Sequence, residues 1–160
     1  MLDVEHFRAE IVRPVLQHLA AWRPGMDAPA AENLLIGTAV QESRLTWLRQ
    51  LGGGPGLGVM QMEPATHADI WTNFINFDSD LVDVMHGFTA PWPALDQQLV
   101  GNLPYAVAMA RVHYYRVAAP LPDPADVDGL AAYWKRYYNT PAGGGTPAQF
   151  VENYSQYVVS

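Results

Sequence analysis

The chain contains no cysteine among its 160 residues. That excludes a disulfide framework, a thiol nucleophile and any metal site built on thiolates. Charge is scarce as well: 16% of residues are charged, and the net charge is −7. Phosphate backbones want a basic patch, so this balance argues against nucleic acid as a partner. Long apolar runs are missing too. None approaches the roughly 20 residues of a membrane-crossing helix, so no membrane span is expected. The opening MLDVEHFRAEIVRP mixes acids and bases throughout and does not read as a secretory signal. Few stretches alternate as strands do, and neither a repeat nor a low-complexity tail is visible.

What is present is a globular composition, 49% hydrophobic. The length suits one domain over 1–160 with a substantial core. Helix signals dominate, so the expected fold is mainly α, with at most a small β element near residues 56–63. Asp3 should cap a first helix that Pro14 kinks or splits. Asp27 should cap a second, with Pro29 in its first turn. Further starts fall at Pro64, at Asp78 or Ser79, at Pro104, at Asp126 and at Thr146 with Pro147 after it. The segment QLGGGPGLG cannot hold a helix and reads as loop.

The second helix carries the first chemical signal. Ala31, Leu34, Leu35, Thr38, Ala39 and Glu42 share one stripe, which places a carboxylate on the buried face in the last turn. Burial raises a carboxyl pKa, and the negative end of the helix dipole pushes the same way. A glutamate kept protonated near neutral pH is a general acid. Met60 and Met62 flank Gln61, which in an extended segment would stand alone on the opposite, wet side. The glycines between Gly52 and Gly58 would let the chain approach a bulky ligand and fold back over Glu42.

Three pieces stand in order: Glu42-Ser43, then Gly58-Val59-Met60-Gln61-Met62-Glu63-Pro64-Ala65-Thr66, then Tyr138-Asn139-Thr140-Pro141-Ala142-Gly143. Between them runs NLPYAVAMARVHYY, from Asn102 to Tyr115, with Ala106 at a position where glycine is usual. Together these resemble the soluble lytic transglycosylase family of the lysozyme-like superfamily, over residues 30–145. The resemblance implies a lysozyme-like helical domain that cleaves the MurNAc-β-1,4-GlcNAc bond of peptidoglycan and leaves a 1,6-anhydro product. It implies Glu42 as the catalytic acid and base, with Ser43 beside it serving the helix end. Gln61 would face the cleft floor, and Met60 or Met62 would form the sugar-binding wall. Tyr138 would hydrogen-bond and steer Glu42, while Asn139 would tie the following loop. Thr140-Pro141 replaces the usual Ala-Gly, so the backbone after Tyr138 can run differently. No metal or organic cofactor is required.

Two alternatives stay open. A hydrolytic lysozyme would deliver water, usually with a second carboxylate, for which Glu63, Asp69, Asp78, Asp80 and Asp83 are candidates. A module that kept the fold but lost catalysis could bind glycan within a virion. Among the aromatics, Trp47 and Trp92 sit beside loop signals and are candidates for the cleft rim. Tyr133, Trp134 and Tyr137 follow helical spacing and read as packing. The histidines His6, His18, His67, His86 and His113 form no His-x-x-x-His pair, so zinc is not expected. The segment from Asn76 to Asp83 lacks the glycine and closing glutamate of a calcium loop and reads as a helix cap. With no leader evident, the reading expects a bacteriophage protein. It would reach the wall as an endolysin or with the virion, and phage virion or tail proteins are candidate partners.

Overall fold

The side chain of Asp3 accepts a hydrogen bond from the His6 amide at 2.8 Å and starts helix α1 (Val4–Phe7). The chain then widens into a π-helical turn, Arg8–Val12, and continues as α2 (Arg13–Trp22). Pro14 explains the widening: it has no amide to donate back, and the Arg13 amide bonds the Arg8 carbonyl five residues away instead. So the proline changes the hydrogen-bond ladder upstream without stopping the helix. The remaining helices are α3 (Pro29–Ser43), α4 (Pro64–Asn73), α5 (Ser79–His86), α6 (Gln98–Gly101), α7 (Leu103–Tyr115), α8 (Val127–Trp134) and α9 (Pro147–Tyr157). A second π-helical turn, Lys135–Asn139, extends α8. This computed structural model describes residues 1–139 and 143–158; the Thr140-Pro141 departure lies outside them.

The fold is mainly α. Among the described residues, β structure amounts to two isolated antiparallel bridges, Arg49 with Leu57 and Leu57 with Met62. No described helix is long and apolar enough to cross a membrane. Most caps fall at the residues the sequence indicates. Asp78, Asp126 and Thr146 accept amide hydrogen bonds at the starts of α5, α8 and α9, and Thr146 forms a capping box with Gln149. Asp27 is an exception: Ala28 is the cap residue of α3 and makes no side-chain cap bond. Pro29 at the first position, with its φ preset, is enough to start that helix.

Helix α3 organises the core. A single apolar stripe understates its burial, because Ile36, Gly37 and Val40 are enclosed as well. Helices α7, α8 and α9 all pack on it. Gly37 is where α9 comes closest: a Cβ there would run into the Phe150 ring and lie 3.0 Å from Tyr154 Cδ2. Thr38, buried in the same helix, bonds the Tyr114 hydroxyl of α7 at 2.8 Å. At the other end, Glu32 receives Arg8 at 2.8 Å and Arg13 at 2.9 Å, tying the π-helical turn and α2 to α3.

The segment from 88 to 94 is pinned. Gln98 is 2% exposed, and its amide bonds the Ala90 amide and the Ala90 and Pro93 carbonyls. Asn102 adds a bond to the Phe88 carbonyl at 2.7 Å. Buried amides bound to loop backbone in this way hold an irregular segment in one shape.

Replacing Gly37 by alanine should destabilise the protein by about 1–3 kcal/mol through overpacking, although alanine is the better helix former. Urea unfolding of Gly37→Ala measures it. Equal or greater stability would refute the close approach of α9.

Candidate functional site

Glu42 lies in the last turn of α3, one residue before the helix ends. Arg44 and Leu45 follow with φ of 51° and 50°, two left-handed residues in succession. They turn the chain sharply so that the 46–62 segment folds back beside the helix end. Non-glycine residues there store strain that surrounding contacts must hold. Ser43 supplies some of those contacts. Its hydroxyl donates to the Val59 carbonyl at 2.8 Å and the Ala39 carbonyl at 3.0 Å, and accepts the Leu45 amide at 3.1 Å.

The returning chain forms a hydrogen-bonded turn, not the extended segment the sequence suggests. Gln61 has φ of 48°, and its amide bonds the Gly58 carbonyl at 3.0 Å. Gly58, at φ of +69°, brings the turn against the Leu99 carbonyl, where no side chain would fit.

Beside this turn opens a hollow of about 370 Å³. Glu42, Gln61, Glu63, His113, Tyr138 and Asn139 are among its walls. They come from α3, the turn, the start of α4, α7 and the π-helical turn after α8. Burial raises the Glu42 pKa to about 7, against a hydrogen bond from Trp134 and the nearby charge of Lys135, which both lower it. Trp134 Nε1 donates to Glu42 Oε1 at 2.8 Å.

An indole N–H can only donate, so Oε1 is the accepting oxygen in either ionisation state. When Glu42 is protonated, the proton therefore sits on Oε2. Among the described residues Oε2 has no partner, and no buried side-chain oxygen lacks one. Glu42 itself lines the hollow, and Oε2 is the oxygen it has left to offer there. The site presents one acid proton, near its transition at neutral pH, to whatever occupies the cleft.

The positions singled out from sequence divide sharply. Glu42, Gln61, Met62, Tyr138 and Asn139 line the hollow together. Met60 does not: it is 0% exposed, in the core, and contributes only its carbonyl. Ser43 is 1% exposed and holds backbone. Trp47 is 45% exposed and lies outside the lining. Trp92 borders a different groove. Tyr138 does not donate to Glu42; its hydroxyl donates to the Met60 carbonyl at 2.7 Å. Gln61 donates to the Gly58 carbonyl at 2.8 Å, so its amide serves the turn. The glycines from 52 to 58 do not line the hollow, whereas Gly143 and Gly144 do.

Two contributors were missed. Trp134 looked like packing because helical spacing and an apolar neighbourhood give no hint of where an indole N–H points. His113 sits on the helix between the second and third motifs, and no pattern marks it. Of the candidate second carboxylates, only Glu63 shares the hollow. Asp69 pairs with Arg116, and Asp78 caps α5 and pairs with Arg23. No group of three His, Cys, Asp or Glu side chains suited to a metal exists among the described residues.

No family model, curated protein or solved structure matches this chain.

Two measurements probe the site. An ordinary glutamate releases its proton near 4.5, whereas folded Glu42 holds it to about 7. The folded state binds more protons in that window, so stability falls as pH rises across it and is level above. Glu42→Gln removes the penalty while leaving an oxygen for Trp134. It should be more stable than wild type at pH 8 by roughly 1–3 kcal/mol, with the difference fading at pH 4. Paired urea titrations read this directly, and a less stable variant at pH 8 would contradict it. Trp134→Phe deletes a donor that favours the carboxylate, so carboxyl NMR should show Glu42 titrating higher than in wild type. An unchanged or lower midpoint would refute the contact.

Proposed function

We propose that the protein is a peptidoglycan lytic transglycosylase in which Glu42 acts as acid and then as base. The observation that carries this reading is a lone desolvated carboxyl on the cleft floor, titrating near neutrality, with its free oxygen toward the cavity. The three-part resemblance to soluble lytic transglycosylases supports it independently. A lysozyme-like domain is part of the same proposal.

Glu42 Oε2 donates its proton to the glycosidic oxygen of the MurNAc-β-1,4-GlcNAc bond as the C1–O bond breaks. The acetamido carbonyl oxygen of the same sugar closes on C1 and takes up the positive charge. Glu42, now ionised, removes the proton from the muramic O6 hydroxyl. O6 then attacks C1, displacing the acetamido oxygen and forming the 1,6-anhydro ring. Water is not consumed, and Glu42 regains its proton. A pKa near 7 serves both half-reactions, because a much stronger or weaker acid would fail at one of them. Trp134 favours the anion and Lys135 assists from behind the wall. Neither takes a proton.

Hydrolysis is the second reading, and Glu63 favours it. This exposed carboxylate shares the hollow with Glu42 and could activate water across it. Delivery by a phage, as an endolysin or a virion component, belongs to the same proposal.

Mass spectrometry of muropeptides released from purified sacculi separates the readings. Anhydro ends are expected from wild type, and none from Glu42→Gln. Reducing ends that Glu63→Gln abolishes would establish the lysozyme. Glycan binding without cleavage by either protein would leave a binding module. For the transglycosylase, kcat/KM should fall above about pH 7, by about tenfold per unit, as the free enzyme loses its acid proton.

A further inference from the structure

The hollow carries two carboxyl groups, Glu42 and Glu63, and no lysine or arginine among the described residues that line it. That lining offers an anionic part of a ligand no cation to pair with. What remains to grip a ligand is a set of neutral polar groups, and His113 is one whose hydrogen-bonding role is dictated by its neighbours.

His113 lies on α7 and lines the hollow. Arg116, one turn later, places Nη2 3.2 Å from His113 Nδ1. A guanidinium has donors only, so Nδ1 must present its lone pair. Arg116 is in turn fixed by Asp69 of α4, Nη1 to Oδ2 at 2.7 Å, and Asn73 holds the other Asp69 oxygen at 2.6 Å. The ring rests edge-on to Tyr138, with centroids 5.3 Å apart. Burial, with the Arg116 charge adding to it and Asp69 opposing, lowers the His113 pKa to about 4. The imidazole is therefore neutral at working pH, with its proton on Nε2. Among the described residues Nε2 has no partner, and no buried side-chain nitrogen lacks one. His113 is among the residues that line the hollow, and Nε2–H is the donor it has left to offer there.

We propose that His113 is a substrate-binding residue whose fixed Nε2–H donates to an uncharged oxygen of the saccharide, an acetamido carbonyl or a hydroxyl. Asp69 and Arg116 are positioning residues that lock its tautomer. A permanently neutral donor suits this place, because an imidazolium beside Glu42 would stabilise the carboxylate and lower the pKa that the acid step needs. The proposal rests on the glycan-cleaving reading for the class of ligand, but its geometry does not depend on which product forms.

Imidazole nitrogen NMR on the intact protein, free and with tetra-N-acetylchitotetraose, tests it. The free protein should show the Nε2–H tautomer throughout pH 5–8, and Nε2 should shift on adding the oligosaccharide. His113→Phe should bind that sugar about tenfold more weakly, the usual cost of one lost hydrogen bond, while His113→Gln, which restores a donor, stays within about threefold of wild type. Arg116→Met should release the tautomer lock and weaken binding of that sugar.

An Nδ1–H tautomer, an imidazolium near pH 6, no sugar binding by wild type, or wild-type affinity in His113→Phe each overturns the proposal. If His113→Phe does not fold, the tautomer and the sugar-induced shift in wild type still decide it. Failure of the chemistry is separate: cleavage surviving in Glu42→Gln sinks the proposed mechanism and leaves the His113 contact standing. Normal sugar binding by His113→Phe sinks only the contact.

Discussion

The hydrogen bond from Trp134 to Glu42 joins residues 92 positions apart, and the site depends on it. A carboxyl group carried into the protein interior needs a donor that costs it no charge of its own. The indole meets that need in both ionisation states and decides which oxygen bears the proton. Its position is set by packing, since Trp134 is fully buried with Phe150 at a ring separation of 5.5 Å. Phe150 in turn reaches that place only because α3 carries glycine at position 37. One contact in the cleft therefore rests on a close helix approach in the core.

Around that contact, the residues that hold the turn and the residues that present reactive groups play different parts. Ser43, Gln61 and Tyr138 direct their hydrogen bonds at the backbone of one turn, through the carbonyls of Val59, Gly58 and Met60. Lys135 ties Asn139 at 2.7 Å and the Gly143 carbonyl at 2.8 Å, closing the opposite wall. These side chains shape the hollow. Glu42, Glu63 and His113 present chemistry to it. The strain at Arg44, Leu45 and Gln61 is what brings the two sets within one cavity.

The electrostatics follow the same plan. Lys135 lies near enough to lower the Glu42 pKa, yet its ammonium is committed to the loop and stays out of the lining. Desolvation is the larger influence and leaves the group poised near 7. His113 is kept neutral by burial and by Arg116. The result is a cleft with a transferable proton and few fixed charges.

Local signals were enough to reveal the helical fold, most helix starts and the partly buried, desolvated setting of Glu42. Capping and periodicity act within four residues along the chain, and Asp78, Asp126 and Thr146 cap where that chemistry says they should. Even the response to Pro14 was legible as a disturbance, though its form as a π-helical turn was not. Tertiary structure alone decided that Gln61 turns instead of extending, that Met60 is core, and that Tyr138 bonds Met60 instead of Glu42. It also chose Trp134 and His113, which no pattern marked. The reason is physical: the direction of an indole or imidazole N–H depends on partners brought from distant helices. A linear sequence records which groups exist, but only close packing determines which of them meet.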